Sequence, residues 1–158
     1  METSTGTEQP RPTAREDGPA LVDPRAPRFG QSLTALALVA AIAFQLPVFV
    51  YAVAVVLTAA VVSGWRIDLY ATLWRHGAMR VLDPPAEREP AAPHRFARVL
   101  GAAFTAAATV AFVTGFPLAG YALAATVAAL AGLAASTGFC LGCRMYRQVQ
   151  FVQRLGIV

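Results

Sequence analysis

Residues 29–65 read FGQSLTALALVAAIAFQLPVFVYAVAVVLTAAVVSGW, and no charged side chain interrupts them. A single helix over these 37 residues would be about 55 Å long, against roughly 30 Å of hydrocarbon in a bilayer. The block must therefore fold back on itself. Pro47, in Gln45-Leu46-Pro47, marks the place, because proline is tolerated at the start of a helix and disfavoured inside one. A second uncharged block spans residues 99–143 and is 45 residues long, with Gly115-Phe116-Pro117 inside it. The expected helices are 31–46, 47–65, 97–115 and 117–140. The first is short for a span and calls for tilt or local thinning. A backbone in hydrocarbon must satisfy its own hydrogen bonds, which favours helices throughout.

Composition agrees with these blocks. Apolar residues make up 56% of the 158 and charged residues only 14%, where a soluble domain carries about 25% charged. Lysine and asparagine are absent and alanine is abundant, as in GC-rich bacterial coding. The net charge of +4 does not point to nucleic acid, because the arginines flank apolar blocks and form no patch. Four crossings put Arg25, Arg28, Arg66, Arg75, Arg80, Arg88, Arg95, Arg98, Arg144, Arg147 and Arg154 on one side. The positive-inside rule makes that side cytoplasmic. The expectation is a multi-pass protein of the bacterial cytoplasmic (inner) membrane with both termini in the cytoplasm. Met1 to Asp23 is polar and Pro-rich, has no apolar h-region of a signal peptide, and is expected to be disordered.

The two halves resemble each other. Pro27-Arg28-Phe29 precedes the first block and Pro93-His94-Arg95-Phe96 the second. Pro47-Val-Phe-Val-Tyr51-Ala-Val-Ala54 then matches Pro117-Leu-Ala-Gly-Tyr121-Ala-Leu-Ala124 at an offset of 70 residues. The expected fold class is all-α: an integral membrane four-helix bundle made of two repeated transmembrane hairpins, with short interfacial helices. Such repeats would be parallel, related by an axis along the membrane normal. The layout is a disordered tail at 1–22, a first hairpin repeat with an interfacial helix at 23–82, and a Pro-rich cytoplasmic linker at 83–94. A second hairpin repeat ending in Cys-x-x-Cys follows at 95–147, then a C-terminal interfacial segment at 148–158. From Ile67, the residues Ile67, Tyr70, Ala71, Leu73 and Trp74 share one helical face, with Asp68, Thr72, Arg75 and His76 opposite. Met145, Val149, Val152 and Leu155 repeat that spacing after the last span.

The only two cysteines, Cys140 and Cys143, lie in Gly138-Phe-Cys-Leu-Gly-Cys-Arg144. This spacing closes a disulfide if the alpha carbons come within about 4.4–6.8 Å. Reactivity depends on the thiolate. At the C-terminal end of a span the helix dipole opposes that anion, although Arg144 and Arg147 offset it. A helix break near Gly138 would reverse the sign, because Cys140 would then begin a new helix. Packing is the bland alternative. Gly120, Ala124, Ala128, Gly132, Ser136 and Cys140 recur every four residues, a small-residue stripe that lets a neighbouring helix approach closely. A zinc site needs more than two thiolates. His76 and His94 are the only histidines, and nothing in the sequence fixes either near the cysteines; a homo-oligomer would supply four thiols. No metal and no cofactor is expected.

Arg28, Arg95 and Arg144 are candidates for lipid-phosphate or anion binding. A pseudo-two-fold would place Arg28 and Arg95 symmetrically near the cysteines, where guanidinium groups could hold a sulfur oxyanion. No acid or base lies inside a span, which argues against a proton-driven pump. No phosphate loop, catalytic triad or dinucleotide fingerprint is visible.

Asp23-Pro-Arg-Ala-Pro-Arg-Phe29, Pro93-His-Arg-Phe96 and Gly138-Phe-Cys-Leu-Gly-Cys143 together resemble a bacterial membrane family, common in actinobacteria, that is described as a domain of unknown function. The resemblance spans about residues 22–147 and implies a four-helix membrane domain. It also implies a thioredoxin-like or rhodanese-like sulfurtransferase partner, separate from this chain. By analogy it supports thiol–disulfide redox or sulfur-transfer work by Cys140 and Cys143 at the cytoplasmic face. Two alternatives stand beside it. One is a non-enzymatic membrane scaffold packing through the stripe, which tolerates Cys→Ser but not Gly132→Leu. The other is a small permease for a sulfur compound.

Overall fold

The computed structural model describes residues 21–77, 80 and 88–154, with the side chains of 149–154 left aside. The expected disordered tail up to residue 20, the Pro-rich linker over 83–87, and the apolar spacing after Met145 lie outside what is described. Among the described residues there are six helices: α1 Arg25–Ala43, α2 Val48–Val62, α3 Leu69–His76, α4 Ala91–Val113, α5 Pro117–Thr137 and α6 Leu141–Arg154. An antiparallel pair of two-residue strands, β1 Leu21–Val22 and β2 Glu89–Pro90, is added to the all-α expectation. It ties the entrance of α1 to the entrance of α4.

The helices begin earlier than the expected 31 and 97. Asp23 holds the start of α1, its carboxylate accepting from the Arg25 N–H at 2.9 Å and its carbonyl from the Ala26 N–H at 3.0 Å. Pro27 and Pro93 sit in the first turns of α1 and α4. A missing N–H costs nothing there, because those first donors have no intrahelical acceptor. The Arg-Phe elements are therefore inside helices, and the segment expected as linker to residue 94 ends at Pro90. The ends also come sooner. Gln45, at φ 53°, and Gly115, at φ 85°, close α1 and α4. Beyond them the Leu46 N–H donates to the Ala41 carbonyl at 2.9 Å and the Phe116 N–H to the Ala111 carbonyl at 2.8 Å. These left-handed closures satisfy carbonyls that the helices leave open.

Three helices, α1, α4 and α5, are long and apolar enough to cross a membrane. The short one is α2, with 15 residues, and not α1 as expected. Helix α1 packs against α5, α2 against α4, and α4 against both α5 and α6. Leu38, Val50, Leu57, Ala108, Ala124 and Val127 belong to a thin core. Leu36, Val39, Val55, Val110, Val113 and Leu118 instead point outward, each more than half exposed. An outward apolar surface on helices of this length fits a lipid bilayer, where hydrocarbon solvates it.

Helix α3 starts two residues after Ile67, because Asp68 caps it by accepting from the Ala71 N–H at 3.1 Å. Tyr70 and Trp74 are buried, whereas Ile67 and Leu73, expected on the same face, are exposed. Trp74 stacks on Phe29 of α1 at 5.6 Å between ring centroids, and Tyr146 of α6 stacks on Phe96 of α4 at the same 5.6 Å.

Candidate functional site

The helix expected as the fourth span does not reach the cysteines. Helix α5 ends at Thr137, and Gly138 follows in the left-handed region with φ 71°. Its N–H donates to the Ala134 carbonyl at 3.0 Å, and the space a β-carbon would occupy is taken by the Arg28 guanidinium. The chain then turns through Phe139 into α6. Cys140 stands just ahead of Leu141, the first residue of α6. Its carbonyl accepts from the Arg144 N–H at 3.1 Å, and its sulfur accepts from the Cys143 N–H at 3.3 Å. Cys140 thus caps α6 as a serine would. This corrects the expectation of a helix C-terminus: the dipole at Cys140 favours a thiolate.

Cys140 and Cys143 are joined as a disulfide, with alpha carbons 5.1 Å apart. One helical turn brings them together. Gly142 between them lets that turn lie directly on α4, since a β-carbon there would stand 2.9 Å from the Ala97 Cβ.

The contact with α4 also brings in a histidine. His94 Nδ1 lies 3.7 Å from the Cys143 sulfur, and His94 Nε2 lies 3.2 Å from Glu89 Oε2. Glu89 is held in β2, opposite Val22 of β1. A neutral imidazole with its proton on Nε2, donated to Glu89, leaves the Nδ1 lone pair facing Cys143. Nothing local in the sequence points to His94 at this place. The missing signal is tertiary: His94 lies 49 residues from Cys143, and only the α4–α6 packing joins them.

A cavity of about 350 Å³ lies between α1, α4, α5 and α6. Cys140, Leu141 and Gly142 form part of its wall, and Leu57, Phe104, Val127 and Leu130 make it apolar. Its polar end holds Arg98, Tyr70, Thr34 and Gln31. Arg98 pairs with Asp68, and its guanidinium lies 5.8 Å from the Tyr70 ring centre. Thr34 donates to the Tyr70 hydroxyl at 3.0 Å. Burial pushes the Tyr70 phenol above its ordinary value, against the smaller lowering effects of the Thr34 hydrogen bond and the Arg98 charge. None of these polar residues was singled out as a site from sequence. One signal existed: Asp68 is the sole acid between Asp23 and Asp83.

The three candidate arginines part company. Arg28 packs on Gly138 and Arg144 over the Phe139 ring at 4.9 Å, both beside the cysteine turn. Arg95 lies over Trp65 at 5.5 Å instead, so the expected pairing of Arg28 and Arg95 at the cysteines is not formed. Within the stripe, Gly120, Ala124 and Ala128 are buried within the chain itself, Gly120 against the Phe112 ring. Gly132 faces Ala35 of α1, and Ser136 is exposed, its hydroxyl donating to the Gly132 carbonyl at 2.8 Å. Among the described residues, no three or more His, Cys, Asp or Glu side chains gather into a possible metal site.

A family model described as a domain of unknown function (DUF4395) matches residues 22–150, and the chain belongs to that family. No curated protein and no solved structure matches the chain.

Proposed function

We propose that this member of the DUF4395 family is a membrane thiol–disulfide redox component in which Cys140 and Cys143 cycle between dithiol and disulfide. The observation that carries it is the contact of Cys143 with His94, backed by Glu89, at the N-terminal end of α6. A cysteine pair in a purely packing role has no use for an oriented imidazole. In the reduced pair, Cys140 is the thiolate stabilised by the helix N-terminus. It attacks a sulfur of the partner's disulfide, forms a mixed disulfide and expels one partner thiolate. His94 Nδ1 then takes the proton from Cys143, whose thiolate attacks Cys140 and expels the second. Two electrons pass to the partner, which leaves as a dithiol. A thioredoxin-like protein fits this role. Sulfur transfer is less favoured, because Arg95 sits at Trp65 and does not join Arg28 and Arg144 beside the cysteine turn.

In the same proposal the chain crosses the bacterial inner membrane four times as two hairpin repeats, with the site on the cytoplasmic face. Several pairs of features support a duplication. The α1–α2 and α4–α5 turns share their hydrogen bonds at an offset of 70 residues. Phe29 and Phe96 each stack on an aromatic of the short helix that follows their hairpin. Tyr51 and Tyr121 both meet Phe112 edge-on, at 6.1 Å and 4.8 Å.

The test is a redox titration of the purified full chain against mixtures of reduced and oxidised dithiothreitol, followed by alkylation and mass counting. The expected result is one reversible two-electron transition in which both thiols disappear together. Thiols that alkylate independently, or a pair that no potential within the physiological span converts, would overturn the proposal.

A further inference from the structure

The cavity beside Cys140 is not needed for exchange with a soluble partner. Its walls are apolar, yet one end is lined by buried Tyr70 and Thr34 and by Arg98. The charge of Arg98 is already matched by Asp68. An anion would therefore meet a pair that is neutral overall, whereas a neutral acceptor of hydrogen bonds meets donors. The remaining N–H groups of Arg98 and the O–H of Tyr70, whose oxygen already accepts from Thr34, are such donors. At about 350 Å³ the space stands at the lower end of small-molecule sites and suits a single ring with a carbonyl. Much of the lining comes from the long apolar helices α1, α4 and α5, so a ligand dissolved in the bilayer is close at hand.

We infer that this cavity binds a lipid-soluble quinone, which receives the electrons of the Cys140–Cys143 dithiol and re-forms the disulfide. The inference rests on the redox reading above and names the oxidant: thiol–disulfide exchange is reversible, so with a quinone as acceptor a partner dithiol reduces the Cys140–Cys143 disulfide by the reverse of the steps above and leaves as a disulfide. The balance is simple. Two sulfur–hydrogen bonds are lost and one sulfur–sulfur bond forms. Two electrons and two protons pass to the quinone, whose carbonyls become the hydroxyls of a hydroquinone. Arg98 and Tyr70 hold one carbonyl and stabilise the charge that develops on its oxygen. His94 relays the proton of Cys143.

The probe is duroquinone, whose fully methylated ring leaves no free position for a thiol to add to. The full chain in phospholipid nanodiscs is reduced, freed of reductant and mixed with duroquinone, and hydroquinone and disulfide are counted together. In a parallel arm the same sample meets a soluble disulfide. The expected result is saturable reduction with one hydroquinone per disulfide formed, none with Cys140→Ser, and at least tenfold weaker half-saturation with Arg98→Gln. Leu130→Trp, which fills the cavity from α5 without touching the ion pair, should weaken it similarly. Exchange in the soluble arm without duroquinone reduction overturns the quinone inference alone and leaves the cavity to an acyl chain. Saturable reduction that neither variant weakens overturns the assignment to this cavity. Failure of both arms in the unsubstituted chain overturns the redox reading itself, and this inference with it.

Discussion

At the scale of single residues, His94 is what turns a pair of cysteines into a candidate reaction centre. Its ring stands between Cys143 and Glu89, the position that the proposed general base for the thiol requires. His94→Ala should slow disulfide formation about tenfold to a hundredfold at pH 7, within the range a positioned base contributes. The deficit should shrink as pH rises past about 8.5, where an ordinary thiol ionises unaided. Rapid acid quench and alkylation across a pH series measures both effects. An equal deficit at every pH would mean that the imidazole only packs. The cysteines were legible in the sequence because their spacing is local. His94 was not, since a histidine in a first helical turn carries no local mark of what another helix brings to it. Arg98 was hidden for the same reason, and although Asp68 stood out as a lone acid, only the meeting of the α3 cap with α4 pairs the two beside the cavity.

At the scale of elements, the break between α5 and α6 decides the electrostatics of the site. Gly138 was visible in the sequence, but whether it ends a helix depends on what surrounds it. Here the Arg28 side chain fills the space of the absent β-carbon, and φ is positive. Gly138→Val should therefore cost roughly 1–2 kcal/mol for the left-handed backbone alone, with a further cost for displacing Arg28. Thermal unfolding in detergent should show the loss. The same variant should slow thiol exchange, because α6 would no longer start at Cys140. Normal exchange in a destabilised protein would detach the break from the chemistry. The turn prolines marked the breaks before α2 and α5, because a ring without an N–H has few places in a helix. The starts of α1 and α4 were misjudged for the converse reason: prolines in a first turn look like breaks until the cap ahead of them is known.

At the scale of the whole molecule, three helices meet the length and composition of a membrane span, and α2 is a shorter apolar helix of 15 residues. Four crossings place Leu46 and Phe116 on one side of the membrane and Arg66, Arg88 and Arg144 on the other. In a Cys140→Ser, Cys143→Ser background, single cysteines at Leu46 and Phe116 should react with an impermeant maleimide added outside intact cells. One at Arg66 should react only after permeabilisation. Labelling of the Arg66 position from outside would remove the fourth crossing. The apolar blocks made the membrane legible, because hydrocarbon constrains length and charge directly. The chemistry is less so, since it arises where separate helices meet. The most direct test of the central claim is thiol trapping in intact cells, with acid quench and a maleimide mass tag before and after an oxidant pulse. The account predicts that the pulse removes both tags reversibly from the unsubstituted chain, and that Cys143→Ser accumulates a mixed disulfide through Cys140. Two thiols that stay free or stay unreactive throughout, with no mixed disulfide in either single variant, would contradict it.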